Sequence, residues 1–245
     1  MEDKALLSTE EASGAEKAEL LIVIPAYNEA ENIERVVNHL TANFPQYDYV
    51  VVNDGSRDET AAICQRNGYN LLNLPVNLGL AGAFQAGLKY ADKYGYQYAV
   101  QLDGDGQHRP EYLESMIKKM EEGYDIVIGS RFVGEKKPFT MRMLGSNLIE
   151  MAIRFTTGVN IKDPTSGMRM FSKRMIHEFA SGLNYGQEPD TVSYLIRQGA
   201  RVAEVPVIMD ERILGVSYLT PVNAMRYMLK MLISILLIQN FRKRR

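Results

Sequence analysis

The stretch "QLDGDGQHRP", residues 101–110, places two aspartates, Asp103 and Asp105, shortly after the apolar run "YAV" (98–100). The apolar run predicts a buried strand, and the glycine that follows each aspartate predicts a turn. Pro110 is well placed to begin a helix over 110–121, because the first helical turn leaves its N–H groups unpaired and proline has none. The stretch therefore predicts a strand, a loop and a helix, with two carboxylates where the strand ends.

Similar units precede this one along the chain. Apolar runs predict strands, and apolar residues at helical spacing predict the helices between them. The predicted strands cover 20–24, 49–52, 70–74, 98–102 and 125–129, and the predicted helices lie around 33–40, 58–67, 83–91 and 110–121. Such alternation predicts a mostly parallel sheet with helices on both faces. The loops "PAYNE", "NDGS" and "DGDGQH" each follow a strand, so they are expected at the carboxyl edge, where such sheets bind ligands.

The composition fits one large α/β domain, with or without an appendage, because 46% of the 245 residues are hydrophobic. A net charge of −2 gives no indication of nucleic acid as a partner. The bases are unevenly spread, however: residues 212–245 carry seven bases and no acid, which points to an anionic surface. The single cysteine, Cys64, excludes an intrachain disulfide and is expected to be buried.

We divide the chain into three segments. Residues 1–19 are expected to be a flexible lead-in, because they are acidic and lack the apolar run of a signal peptide, and we therefore expect a cytosolic protein. Residues 20–218 are expected to form the main domain, which includes a strand-like run at 200–207. Residues 219–245 are expected to form an amphipathic helical segment that contacts a membrane or a partner.

Four carboxylates are expected at the carboxyl edge of the sheet, those of Glu29, Asp54, Asp103 and Asp105. Carboxylates held close together repel one another unless a cation joins them. Mg²⁺ uses one or two carboxylates and completes its shell with water and substrate phosphates, and Gln107 is a candidate for a neutral third ligand. The alternative is that these acids are solvated turn residues. Their shared placement at strand ends favours the cation site.

Taken together, the motifs resemble a known family. They are "IPAYNEAENI" (24–33), "VVNDGSRDET" (51–60), "QLDGDGQH" (101–108) with "GSR" (129–131), and "DPTSGMRMFS" (163–172). In this order and spacing they resemble the family 2 glycosyltransferases of the GT-A fold, and within that family the dolichyl- and polyprenyl-phosphate sugar transferases. The resemblance covers about Leu20 to Tyr218. It implies a Rossmann-like sheet, a nucleotide diphospho-sugar donor carrying UDP or GDP, and Mg²⁺ or Mn²⁺ as cofactor.

The resemblance also implies which residues bind the nucleotide. Pro25, Tyr27 and Glu29 match the positions that hold the base and the ribose. Asp54 matches the acid that contacts the base.

Metal and phosphate contacts follow from the same resemblance. Asp103, Gly104 and Asp105 match the metal-binding Asp-X-Asp motif, with Asp105 expected to be catalytic, and Gln107 matches an additional metal contact. Arg131 matches an arginine that contacts phosphate and assists catalysis, and Arg212 matches a further arginine of the family pattern. That pattern ends in a lysine where this chain has Tyr218, so a second cationic contact to phosphate is missing or supplied elsewhere.

The residues alone leave structural roles open for Arg131, Arg169 and Asp163. Arg131 in a surface ion pair is one alternative. A salt bridge between Asp163 and Arg169 that fixes the "TSG" turn is another.

Two classes of acceptor remain open. A sugar hydroxyl normally needs a carboxylate base within hydrogen-bond distance, and Glu188 or Asp190 in "GQEPDT" (186–191) is a candidate. A lipid monophosphate needs no base, because its second pKa is about 6 and it arrives ionised. The resemblance implies transfer, with inversion, to an undecaprenyl or dolichyl phosphate. The alternative is transfer to a sugar hydroxyl in cell-surface polysaccharide assembly, with Asp190 as a catalytic residue.

A lipid acceptor requires bases and apolar surface, and 129–155 and 225–245 combine both. The apolar run from Met231 to Ile238 is too short to span a membrane, which takes roughly 20 apolar residues. We expect peripheral binding to the cytoplasmic face through 225–245, with Arg242 to Arg245 among anionic headgroups. A small membrane-protein partner, a homo-oligomer contact and a core helix are the alternatives.

Other functional classes fit less well. Processive polysaccharide synthases usually carry a Gln-X-X-Arg-Trp motif, and this chain has no tryptophan. A nucleotidylyltransferase would have a glycine-rich, basic loop after the first strand, whereas "PAYNEAENI" has neither glycine nor base. The glycine-rich stretch at 77–87 is not a dinucleotide fingerprint and predicts close helix–sheet packing. A nucleotide-sugar-binding protein without turnover is disfavoured, because both metal-motif aspartates are present.

Overall fold

A computed structural model describes residues 19–135, 137, 140–182, 186, 188–210 and 221–240 of the chain. The predicted lead-in up to residue 18 lies outside the described residues. So do Arg212, Tyr218 and the basic run 242–245.

In the described part of the chain, seven strands form one sheet in the order β3-β2-β1-β4-β6-β5-β7. The strands are β1 Leu20–Ala26, β2 Asp48–Asp54, β3 Leu71–Leu74, β4 Tyr98–Gln101, β5 Ile126–Ser130, β6 Arg169–Ser172 and β7 Val202–Pro206. β6 runs antiparallel to both of its neighbours, and the other pairs are parallel. The predicted mostly parallel sheet is therefore confirmed. Because β6 is reversed, the "DPTSG" loop before it lies at the same edge as the carboxyl ends of the other strands.

Helices cover both faces of the sheet, as predicted. They are α1 Ile33–Asn43, α2 Thr60–Arg66, α3 Gly79–Tyr94, α4 Leu113–Glu121, α5 Met141–Thr157, α6 Lys173–Ser181, α7 Pro189–Arg197 and α8 Pro221–Leu236, with 3₁₀ turns at Pro110–Tyr112 and Ile238–Asn240. The core under α1, α2 and α4 lies on one face. The core shared by α3, α5, α6, α7 and α8 lies on the other.

β1 is the central strand, and its side chains alternate between these two cores. Leu21 and Val23 join one core, and Ile22 and Ile24 join the other. The sequence predicted an end before Pro25, but the strand continues through Ala26. Proline lacks the N–H that a central strand donates. The pairing of β1 with β4 stops at Val23, two residues before Pro25. No N–H donor toward β4 is therefore needed at position 25, and proline is tolerated there.

Close packing of α3 on the sheet confirms the interpretation of the glycine-rich stretch 77–87. A β-carbon built on Gly87 would lie 2.2 Å from Cγ1 of Val23, so only glycine lets the helix approach β1 this closely. Cys64 is fully buried, as predicted. Burial raises the pKa of its thiol to about 11, which makes it unreactive at neutral pH.

The C-terminal helix α8 packs against α5 and α7. Met231 and Ile235 of α8 are buried in the same core as Ile149 and Ile153 of α5. Across the described residues, none of the helices combines the length and the hydrophobicity needed to cross a bilayer.

Candidate active site at the carboxyl edge of the sheet

The loops after β1 and β2 are tied together by backbone-to-side-chain hydrogen bonds. The Asn28 N–H donates to Oγ of Ser56 (3.0 Å), and the Arg57 N–H donates back to Oδ1 of Asn28 (2.9 Å). The Glu29 N–H donates to Oγ1 of Thr60 at 2.9 Å. Asn28 takes a left-handed conformation with φ of 55°, which asparagine tolerates better than most residues. These bonds hold the predicted nucleotide-binding residues of "PAYNE" beside those of "NDGS", with Pro25 buried in β1 and Tyr27 half-buried beyond it.

Asp54 is the last residue of β2 and is only 3% exposed. Its Oδ1 accepts the N–H of Leu78 at 2.6 Å, so the carboxylate holds the loop between β3 and α3. The sequence predicts Asp54 in the "NDGS" turn, as an acid that contacts the nucleotide or, alternatively, as a solvated turn residue. The structure instead buries Asp54 under that loop, because Gly55 (φ 63°) brings the chain against Asn77.

The Asp-X-Asp loop packs directly on the end of β1. A β-carbon on Gly104 would lie 3.1 Å from the Pro25 carbonyl oxygen and 3.5 Å from Cγ of Glu29. Gly104 therefore places Asp103 and Asp105 beside the first loop. The Arg35 guanidinium donates to the Asp105 carbonyl oxygen at 3.1 Å, which ties this loop to α1.

The two aspartates of this loop have different surroundings. Asp105 is buried, and its Oδ1 accepts the Gln107 N–H at 3.0 Å. Asp103 is partly exposed, and its Oδ1 accepts from Nε2 of Gln101 at 2.6 Å. Both carboxylates are thus oriented by donors from their own loop or strand.

His108 is a neighbour of this pair that the sequence analysis did not single out. Its Nδ1 accepts the Asp103 N–H at 3.1 Å, so the neutral ring carries its proton on Nε2, 3.7 Å from Oδ2 of Asp103. A β-carbon on Gly167 would lie 3.2 Å from Cε1 of His108 and 3.4 Å from Oδ2 of Asp103. The "TSG" turn therefore closes over the Asp103 carboxylate from the β6 side.

The donor set fits Mg²⁺ or Mn²⁺ that shares its shell with a substrate. Among the described residues, no three His, Cys, Asp or Glu side chains converge into a metal site by themselves. Asp103 and Asp105 offer carboxylate oxygens, the ligands that a hard divalent cation prefers. Such an ion keeps several water or phosphate ligands, so two carboxylates are enough when a diphosphate completes the shell.

Gln107 connects the loop to the segment after β7. Its side-chain Nε2 donates to the Asp210 backbone carbonyl oxygen at 3.1 Å, and the Gln107 backbone carbonyl oxygen accepts the Asp210 N–H at 3.0 Å. The Arg109 guanidinium binds the Asp210 carboxylate and holds the pKa of that carboxyl below its ordinary value. The metal contact expected of Gln107 stays a prediction.

Arg131 forms a two-point ion pair with Asp163. Its Nε lies 2.7 Å from Oδ2 and its Nη2 lies 2.8 Å from Oδ1, and Asp163 is fully buried. The alternative that Asp163 pairs with Arg169 is wrong. Arg169 is buried and donates to the carbonyl oxygens of Ser166 and Pro164, and this burial lowers the pKa of its guanidinium.

Comparison with known proteins assigns the family and the fold. Residues 21–179 match the sequence model of glycosyl transferase family 2, which is more than half of the chain.

The chain belongs to glycosyltransferase family 2.

The protein is accordingly a glycosyltransferase. It is 32% identical over 223 residues to polyprenol monophosphomannose synthase of Mycolicibacterium smegmatis, which covers 86% of this chain and 84% of the relative. It is 31% identical over 210 residues to undecaprenyl-phosphate mannosyltransferase of Micrococcus luteus, which covers 81% and 86%.

Among solved structures, glucosyl-3-phosphoglycerate synthase from Mycobacterium tuberculosis, in complex with Mn²⁺, UDP and glucosyl-3-phosphoglycerate, has the same fold. The TM-score is 0.67 at 20% identity, and the match covers 90% of this chain and 79% of that one. The GT-A fold expected from the sequence is therefore confirmed.

In this glycosyltransferase, Glu188 and Asp190 hold the C-terminal helix on α7. Oε2 of Glu188 accepts from the Tyr227 hydroxyl, and Oδ2 of Asp190 accepts from Oγ of Ser234 at 2.5 Å. The Gln239 side chain also donates to Oδ2 of Asp190, at 3.2 Å. Burial and the nearby Glu188 carboxylate raise the pKa of Tyr227. The structure thus places both candidate bases in a helix–helix contact, and a catalytic role for Asp190 stays a prediction.

Proposed function

We propose that this glycosyltransferase moves a sugar from a nucleotide diphospho-sugar to a polyprenyl phosphate, with inversion, at the cytoplasmic face of a membrane. The observation that carries the proposal is the pairing of Asp103 and Asp105 at the carboxyl edge, packed through Gly104 against Pro25 and Glu29. Likeness to two relatives named for polyprenol and undecaprenyl phosphate supports the acceptor. Both relatives are also named for mannose, so GDP-mannose is the first donor to test.

The residues at the edge have distinct tasks in this proposal. Tyr27, Glu29 and Asp54 bind the nucleoside, and Asp103 and Asp105 hold Mg²⁺ or Mn²⁺, with Gln107 as an additional contact. The bound cation neutralises the charge that develops on the leaving diphosphate.

Arg131 assists at the diphosphate. Its pair with Asp163 uses Nε and Nη2, and a guanidinium has five N–H donors in all, so Nη1 is the group that reaches a phosphate oxygen. Arg212 is proposed as a second phosphate contact.

The acceptor phosphate needs no base, because it is largely ionised at neutral pH, with a second pKa of about 6. A sugar hydroxyl would need one, and the two candidates, Glu188 and Asp190, accept hydrogen bonds from Tyr227 and Ser234 of α8. Both carboxylates are thereby oriented toward α8, where they hold a helix–helix contact. This arrangement favours the phosphate acceptor over the hydroxyl acceptor.

A transfer assay tests the proposal. The protein is incubated with Mg²⁺, detergent-dispersed undecaprenyl phosphate and radiolabelled GDP-mannose, or with one of a panel of UDP-sugars. We expect label in the organic phase with at least one donor, and none when EDTA replaces Mg²⁺. Label that moves only into water-soluble glycan, or free sugar alone, would reject the lipid acceptor. The anomeric configuration of the product, determined by NMR, tests inversion.

A further inference from the structure

Helix α5 exposes a line of apolar side chains. Leu144, Leu148, Met151 and Phe155 recur at helical spacing and are all exposed, Met151 at 65% and Phe155 at 86%. Exposure of large apolar side chains such as Phe155 to water is unfavourable, and soluble monomers rarely expose a contiguous apolar patch of this kind. The residues on the other side of α5, among them Ile149 and Ile153, are fully buried.

Helix α8 exposes a second line beside the first. Met225, Leu229, Ile233 and Leu236 are exposed, again at helical spacing. The two helices touch where a β-carbon on Gly145 would lie 2.8 Å from Cγ of Met228. Leu144 and Leu148 lie within one turn of Gly145, and Met225 and Leu229 lie within one turn of Met228. The two lines therefore form one apolar surface, which we call the α5–α8 face.

The charges on the α5–α8 face have one sign. The exposed polar side chains that the structure describes on this face are Asn147, Arg154, Arg226 and Lys230. Among the exposed side chains that the structure describes on these two helices, none is acidic. The one acid of α5, Glu150, is half-buried and accepts from Lys137 at 2.6 Å.

We propose that the α5–α8 face docks on an anionic lipid bilayer, with α5 and α8 as two halves of one footprint. The proposal rests on the proposed function, because a polyprenyl phosphate stays in the bilayer and the enzyme has to come to it. Apolar side chains with interspersed Arg and Lys are what an interfacial helix presents to anionic headgroups. A second copy of the chain fits less well, because a two-fold contact through this face would set Arg154, Arg226 and Lys230 against the same bases.

The position of α5 agrees with this role. The helix begins at Met141, ten residues after Arg131, and its first turn is capped by the Thr140 hydroxyl, which accepts the Met143 N–H at 3.2 Å. Leu144 follows in that first turn. Lys137 links α5 to the residue after Arg131: its Nζ lies 5.5 Å from the Phe132 ring centroid and 2.6 Å from Oε2 of Glu150 in α5. A lipid whose chain lies along this face would therefore have its phosphate on the side of α5 that adjoins Phe132 and Arg131.

Vesicle flotation tests the footprint on the α5 side alone, so that α8 stays intact. The full-length protein is compared with Met151→Glu/Phe155→Glu, using phosphatidylcholine vesicles with and without phosphatidylglycerol. The matched control is Lys118→Gln/Lys119→Gln on α4, on the opposite face of the sheet, which makes the net charge more negative by the same two units. We expect the α5 variant to lose binding to anionic vesicles by about 10-fold or more and the control to bind within about 2-fold of the parent. Equal melting temperatures show that both variants fold.

The outcomes separate this inference from the proposed function. Transfer to detergent-dispersed undecaprenyl phosphate measures the function without a bilayer, and we expect the α5 variant to keep it while losing transfer to acceptor in vesicles. Parent protein that is active in detergent but does not float overturns the footprint and leaves the function standing. Parent protein that floats but shows no transfer in detergent overturns the proposed function and leaves the footprint standing. If the α5 variant floats like the parent, or only dissociates a dimer in sedimentation, the α5–α8 face is not a membrane surface.

Discussion

Asp103 and Asp105 are two residues apart, but their surroundings differ. Asp105 is buried and Asp103 is partly exposed beside His108. We expect Asp105→Ala to lower kcat by about 100-fold or more, because the cation that neutralises the leaving diphosphate loses a ligand. Asp105→Asn keeps an oxygen for the Gln107 N–H and removes the charge, so it should be nearly as inactive. Initial rates with Mg²⁺ and with EDTA decide the point: full activity in EDTA, or a variant within a few-fold of the parent, would remove the metal from the mechanism.

Two roles of Asp54 can be separated by substitution: its carboxylate is predicted to bind the nucleotide, and its Oδ1 accepts the Leu78 N–H. Asp54→Ala leaves that N–H unpaired, which costs about 1–3 kcal/mol when the group is buried. Asp54→Asn keeps an acceptor oxygen and removes the charge. We expect both variants to raise the Kd of the nucleotide-sugar in calorimetric titration, and only the alanine variant to lower Tm. A normal Kd for Asp54→Asn would show that Asp54 only positions the loop.

Much of the site could be predicted from the sequence, because carboxyl ends of parallel strands meet at one edge. Glu29, Gly104 and Asp105 each follow their strand closely, so local pattern was enough to bring them together. The partner of Asp163 could not be predicted in this way. Its pairing with Arg131 depends on β6 lying antiparallel next to β5, which no local pattern encodes, and the nearer Arg169 in the same motif was the wrong choice.

At the scale of elements, β7 controls the Arg131–Asp163 pair through one side chain. The two carboxylate oxygens of Glu204 accept the N–H groups of Lys162 and Asp163, each at 2.8 Å. Because Asp163 in turn orients the guanidinium, we expect Glu204→Ala to lower kcat by about 10- to 100-fold, as small misplacements of a catalytic group do. The KM for donor should change little.

Two variants control this prediction. Glu204→Gln keeps one acceptor oxygen and should recover part of the lost kcat. Glu122→Ala removes a surface ion pair with Lys119 and should stay within about 2-fold of the parent. A Glu204→Ala enzyme with normal kcat and a lower Tm would assign Glu204 a purely structural role.

The elements of the first half were predicted to within a few residues, and those of the second half mostly were not. Strands such as β2 have continuous β-branched runs that end in turn residues. β6 has only four residues and begins with a charged one, Arg169, so its sequence carries no strand signal. Helices α5 and α7 were not predicted, although a local signal was present for α5: Ile149, Ala152 and Ile153 recur at helical spacing, and Thr140 and Gly158 cap the helix.

For the molecule as a whole, α8 is both surface and core, which changes what a truncation measures. A chain that ends at Asn223 loses the exposed Leu229 and Ile233, but also the buried Met231 and Ile235. Loss of a buried Met or Ile side chain costs about 2–5 kcal/mol each.

We therefore expect the chain that ends at Asn223 to melt at least about 8 °C below the parent, because 1 kcal/mol corresponds to roughly 2–4 °C in a chain of this size. Loss of vesicle binding by this chain would then report unfolding.

A chain that ends at Asn240 is the matched control. It retains the hydrogen bonds from Tyr227, Ser234 and Gln239 to the start of α7, and it removes the basic run 242–245. Calorimetry should give it the Tm of the parent, and flotation should show weaker binding to anionic vesicles only, since each base contributes about 1 kcal/mol near such a surface. An unchanged Tm for the chain that ends at Asn223 would contradict the core role of α8, and unchanged flotation of the chain that ends at Asn240 would show that the basic run takes no part in membrane binding.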